Sequence, residues 1–191
     1  TGLIIYDRGI TSTKNVRDIK DLGWNTLCGL PLRGKVKAAL RPLITQNQFI
    51  KIENRIRLNK NIFYVVTKPY EIGNVAGTLV VCFNEQQRKD LRESRYDEIQ
   101  NAQKLLAKKK SIKPGLAKYF DKNGSLIKKT LQAAEEFDGF SCIFSTKKGL
   151  PKEELVRLYF DKDLVEKAFQ TLKGVTNLRP IRMWLYDRVT A

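Results

Sequence analysis

Hydrophobic positions along this chain follow two periods, and the switches between them mark its elements. GLIIY (2–6) is a short continuous apolar run, which predicts a strand buried on both faces. After DRGITS, the segment TKNVRDIKDLG places Val16, Ile19 and Leu22 at helical spacing, with Ser12 as N-cap and Gly23 as the C-terminal stop. TLCGL (26–30) predicts a second strand, so residues 1–30 read as a β-α-β unit.

From about 47 to 84 the pattern changes. QFIKIENRIRL, IFYVV and TLVVCF are β-branched and aromatic runs separated by Asn, Lys-Pro and Gly, which predicts a small strand-rich segment. EQQRKDLRESRYDEIQNAQKLLAKKK then predicts a long charged helix with Leu91, Ile99, Leu105 and Leu106 as its sparse apolar positions. Its tail of Lys108, Lys109 and Lys110 suits a helix C-terminus and equally suits a phosphate contact. SIKPGLAKYFDKNGSLIKK, with Lys-Pro-Gly and Asn-Gly turn signals, predicts a turn, a short helix and a hairpin.

FDGFSCIFST (137–146) is a third apolar strand, and it leads into PKEELVRLYFDKDLVEKAFQTLKG, a helix with Pro151 in its first turn, Glu153 and Glu154 near its positive end and Gly174 as its stop. At helical periodicity Leu155, Leu158, Val165, Phe169 and Leu172 form the core stripe. Tyr159, Lys162, Glu166 and Lys173 form a second stripe beside it. On periodicity alone, such a stripe is the border where a helix meets water.

Charge changes that picture. Lys+Arg number 36 against 20 Asp+Glu, a formal +16 on 191 residues. A field of that sign favours polyanions, above all nucleic acid, although it also serves solubility alone. Histidine is absent, which removes Ser/His/Asp and Cys/His triads, histidine-ligated zinc and histidine general bases. Carboxylates with a hard divalent cation remain for hydrolysis or transfer. The second stripe now reads differently: a tyrosine and two lysines around one carboxylate suit phosphate gripped on both sides of a metal ligand. Asp7, at the end of the first strand, holds the position where open α/β sheets carry their chemistry.

Cys28, Cys82 and Cys142 each sit in an apolar strand-like run and read as small buried hydrophobes of a reducing compartment. No run of about 18 apolar residues and no signal peptide occurs, which predicts a soluble, intracellular protein. The chain starts at Thr1 without methionine and stops in an expected helix, so both ends read as cut from a longer protein.

The spacing Tyr159, two residues, Lys162, three residues, Glu166, six residues, Lys173 resembles the YREK signature of bacterial and archaeal insertion-sequence transposases of the DDE type, with lysine in place of the usual arginine at 162. IIYDRGITSTKNVRDIKDLGWNTLCGLPLR resembles the segment carrying that family's second catalytic aspartate. DGFSCIFST resembles the strand that re-enters its core after a β-rich insertion, and LRPIRMW its Arg-Pro-Ile-x-x-Trp segment. The resemblance covers residues 1–45 and 137–191 well and the middle in character.

The resemblance implies an α/β fold: a partial RNase H-like core interrupted by a β-strand-rich insertion with a long helix. The expected division is 1–45 for the first part of the core, 46–136 for the insertion and helix, and 137–191 for the second part. It also implies metal-dependent cleavage and transfer of DNA strands by in-line phosphodiester attack, with Asp7 and Glu166 as catalytic ligands of Mg²⁺ or Mn²⁺. Tyr159, Lys162, Lys173 and Arg8 would contact DNA, and lysine at 162 gives up bidentate geometry. The partners would be transposon ends and target duplex in a prokaryotic cytoplasm, with a second copy in a synaptic complex. The family's first aspartate lies upstream of GLIIYDRG, so the 191 residues are expected to bind metal weakly, to lack cleavage alone and to leave a sheet edge open. A non-catalytic basic nucleic-acid-binding module and a metal-dependent nuclease on the same fold are the competing expectations.

Overall fold

The computed structural model describes residues 2–46, 49–162 and 171. Its first third follows the expected β-α-β order. Strand β1 (Leu3–Tyr6) leads through a 3-10 turn at Arg8–Ile10 to helix α1 (Thr13–Asp21), and β2 (Asn25–Leu30) returns parallel to β1 with Tyr6 opposite Cys28. Ser12 caps α1 by accepting a hydrogen bond from the Asn15 backbone N–H at 3.1 Å, a contact worth about 1 kcal/mol. Gly23, at φ +74°, ends it. Val16 is fully buried, but Leu22 is 73% exposed because it follows the last helical turn and no longer follows the helical period.

Helix α2 (Gly34–Thr45), for which the sequence analysis made no prediction, comes next. Its buried Val36 and Leu40 join Val16, Cys28 and Leu79 on one face of the sheet. Pro42 inside it masked the pattern. The predicted strand-rich segment is a meander of β3 (Arg55–Leu58), β4 (Asn61–Ile72) and β5 (Val75–Phe83), turning at Asn59 and at Gly73–Asn74 with positive φ.

Asn84 caps the long helix α3 (Glu85–Ala107), accepting from the Gln87 N–H at 2.8 Å. Ile99 of α3 is buried, whereas Leu91 and Leu105 face solvent. Two short helices, α4 (Pro114–Ala117) and α5 (Lys128–Glu135), flank a single bridge between Phe120 and Leu126, which realises the expected turn, helix and hairpin in reduced form. Together with α3 they enclose a separate cluster of Ile99, Ala102, Tyr119 and Phe120.

Strand β6 (Phe140–Ser145) then inserts between β2 and β5, antiparallel to both. The result, among the described residues, is one mixed six-stranded sheet in the order β1-β2-β6-β5-β4-β3. The protein is α/β in class. Among the described residues β1 is an edge strand, and Leu3, Ile4 and Ile5 are only partly buried, unlike the two-sided burial predicted for GLIIY. The second helix-bearing face belongs to α6, helical from 152 to 162 within the described residues. Its Leu155 and Val156 are buried against Leu27, Val65, Val80 and Ile143, each contributing about 1.5–3 kcal/mol. Val156 was not on the predicted core stripe, because two faces of this helix, not one, are packed. Val165, Phe169 and Leu172 lie outside the described residues.

Among the described residues, no helix is long and apolar enough to cross a membrane.

A candidate active-site cleft at the end of the first strand

β1 and β2 run parallel, so their C-terminal ends lie side by side, and Asp7 is the first residue beyond β1. The turn that follows is tied back to β2 by Thr11, whose hydroxyl donates to the carbonyl of Gly29 at 2.8 Å and lies 3.2 Å from that of Asp7. α6 reaches the same place from the other end of the sequence. It is pinned at its start by Lys152, whose ammonium donates to the carbonyls of Glu53 at 2.8 Å and Val65 at 3.3 Å and to Asn54 Oδ1 at 3.3 Å. A cation at a helix N-terminus is unfavourable toward the helix dipole, and these three acceptors offset that cost. Further along, the Phe160 ring stacks on Phe63 with centroids 5.0 Å apart.

These anchors carry Tyr159 and Lys162 to Asp7. The Tyr159 hydroxyl donates to Asp7 Oδ1 at 3.3 Å, and the Lys162 ammonium stands 3.6 Å from the same oxygen and 5.0 Å from the centre of the Tyr159 ring. Two candidates from the helix signature thus meet the candidate from the first strand, 152 residues away in sequence. A cleft of about 370 Å³ opens around them, lined among others by Arg8, Gly29, Cys142 and Phe160. Glu166 and Lys173, the other two candidates, lie outside the described residues.

The electrostatics favour an ionised Asp7. Its carboxyl is held below the usual aspartate value chiefly by the adjacent Arg8 backbone N–H; partial burial opposes this, and the Lys162 ammonium, the Tyr159 hydroxyl and the Arg8 guanidinium add to it. The carboxylate remains 53% exposed beside a Lys162 side chain only 16% exposed. A pair so open contributes between nothing and about 1 kcal/mol to stability.

Comparisons with protein-family models, with curated proteins and with solved structures gave no match.

What the cleft can do follows from its donors. The Asp7 carboxylate, about half exposed at a strand end, is a donor suited to a hard cation. An ammonium, a guanidinium and a phenol around it suit phosphate oxygens. Among the described residues, no group of three His, Cys, Asp or Glu side chains converges on one point. Burial pushes the Cys142 thiol at the cleft wall up to about 12, so it stays protonated near neutrality and is a poor nucleophile. The other two cysteines are also buried thiols raised by burial.

The sequence analysis did not single out Gly29 or Lys152. A signal existed for Gly29, since glycine inside a strand marks a close approach of something to the backbone. Lys152 had none: its acceptors belong to residues 53, 54 and 65, joined to it only by the fold.

Proposed function

We propose that this chain belongs to the catalytic region of a DDE-type DNA transposase with a partial RNase H-like core, in which Asp7 and Glu166 are two of the carboxylate ligands of Mg²⁺ or Mn²⁺. The observation that carries the reading is the convergence of Tyr159 and Lys162 on Asp7, which a surface stripe on a solvated helix has no reason to make. In sequence, Glu166 follows Lys162 by four residues, one helical repeat.

In this reading a bound divalent ion supplies the polarising charge for in-line attack at a phosphodiester. The chain's own residues do the rest. Asp7, ionised, offers its carboxylate to the ion. Lys162 and Arg8 neutralise phosphate charge near the cleaved end, and Tyr159 orients Asp7 by its hydroxyl while its ring carries the Lys162 ammonium. Lys173 is a further phosphate contact, the substrates are transposon-end and target duplexes, and a second copy joins the synaptic complex.

Divalent-metal titration tests this. Mn²⁺ affinity is expected to be weak, to fall in Asp7→Ala and in Glu166→Ala, and to fall no further in the double variant, as one shared site requires. Mn²⁺ binding that neither substitution changes would sink the assignment.

A second reading rests on the Lys162–Asp7 pair itself, since an ammonium already 3.6 Å from the carboxylate can serve as its permanent counter-ion. The chain would then be a non-catalytic module that binds nucleic acid through its charge. DNA affinity that drops steeply with salt, with no effect of divalent ions, favours that reading.

A further inference from the structure

Gly29 is the fifth residue of the six in β2 and is hydrogen-bonded into the middle of the sheet opposite Ile143. Glycine inside a strand is destabilising relative to alanine, so the position needs a reason. Backbone conformation is not the reason, because Gly29 does not adopt positive φ. Space is. A Cβ placed on Gly29 would fall well inside 3.0 Å of the Tyr159 hydroxyl oxygen, 3.0 Å from Tyr159 Cζ and 3.3 Å from Arg8 Cβ.

Tyr159 has little room to retreat as a whole. It sits on α6 between Val156, which is fully buried, and Phe160, which is stacked on Phe63. A side chain at position 29 would therefore swing the ring about its own side-chain bonds, away from β2. The same swing draws the hydroxyl off Asp7 and moves the ring from beneath the Lys162 ammonium.

We propose that Gly29 is a positioning residue of the cleft: the missing side chain opens the gap in β2 through which the Tyr159 hydroxyl reaches Asp7, and through that ring it sets where Lys162 stands. The geometry concerns residues 7, 8, 29, 159 and 162; its consequence for DNA chemistry rests on the transposase reading.

Two measurements test it. In a thermal-unfolding cycle, Gly29→Ala lowers Tm by several degrees in the native background and by much less in Tyr159→Phe, which lacks the crowded oxygen. With 3-fluorotyrosine incorporated, the Tyr159 resonance, assigned by its loss in Tyr159→Phe, shifts when Asp7 is replaced by Asn, and this response disappears in Gly29→Ala. If Gly29→Ala fails to fold and the double variant folds, the collision is with Tyr159 as proposed. Equal Tm losses in both backgrounds, failure of both variants to fold, or an undiminished response to Asp7→Asn in Gly29→Ala overturns the proposal. A wild-type chain whose Mn²⁺ binding ignores Asp7 and Glu166 would remove the transposase reading and leave this cycle intact.

Discussion

Among the described aspartates that face basic side chains, Asp138 and Asp7 differ in burial, in the geometry of their contacts and in what surrounds them. Asp138, just ahead of β6, is 6% exposed, and the Arg95 guanidinium grips it with two hydrogen bonds of 2.6 Å while Arg92 Nε stands 3.6 Å away. Asp7 is half in solvent and touches its partners at 3.3 and 3.6 Å. The first carboxylate is shut off from a ligand by burial: bidentate, short and desolvated, it locks α3 to the chain entering β6. The second is half exposed, with longer contacts to its neighbours and a cleft beside it. A buried carboxylate without its arginine is costly, whereas an exposed one is nearly free to change partners.

The largest way to break the contrast is at the buried end. Asp138→Ala leaves Arg95 without its partner and is expected to destabilise the protein by about 3–5 kcal/mol, read as a fall in the denaturant midpoint at unchanged slope. A smaller loss, about 1–2 kcal/mol, is expected for Lys152→Met, which strands the carbonyls of Glu53 and Val65. That variant should also speed amide exchange in α6 while leaving α3 protected, because the Asp138 lock is separate from it.

At the open end Asp7→Asn is expected to change stability by no more than about 0.5 kcal/mol in the same denaturation assay. A loss approaching that of Asp138→Ala would show that Asp7 is architectural after all. Its effect should depend on pH in one direction. Because the folded carboxyl titrates below its unfolded value, its contribution is present above about pH 4 and is lost as pH falls through the lowered folded value. The Tm difference between wild type and Asp7→Asn should therefore be constant from neutrality to about pH 5 and vanish on further acidification. Smallest in stability, Lys162→Met should leave Tm nearly unchanged, weaken duplex DNA binding similarly for different sequences and reduce the salt slope by about one. A salt slope identical to wild type would remove Lys162 from the phosphate contacts.

How much of this was legible in the chain differs from element to element. β1, α1, β2, α3 and β6 were legible because each combines an uninterrupted period with a chemical stop, such as Ser12 and Gly23 around α1 or Asn84 before α3. α2 was not, since Pro42 breaks the very period that its Val36 and Leu40 establish. On α6 the period marked Leu155 and Leu158 as core but missed Val156, whose burial comes from neighbours on four different strands. The stripe of Tyr159 and Lys162 was visible as a stripe and ambiguous as chemistry.

The sequence by itself determined the identity of the donors, the absence of histidine, the positive charge and the local periods, because these are properties of composition and of residues a few positions apart. Tertiary structure alone decided that β6 enters between β2 and β5, that α6 crosses the end of β1, and that the Tyr159 hydroxyl passes the bare backbone of Gly29 to meet Asp7. Those outcomes depend on contacts between residues far apart in sequence, 57 positions for Phe83 and Phe140 and 152 for Asp7 and Tyr159, and local pattern carries no record of such distances.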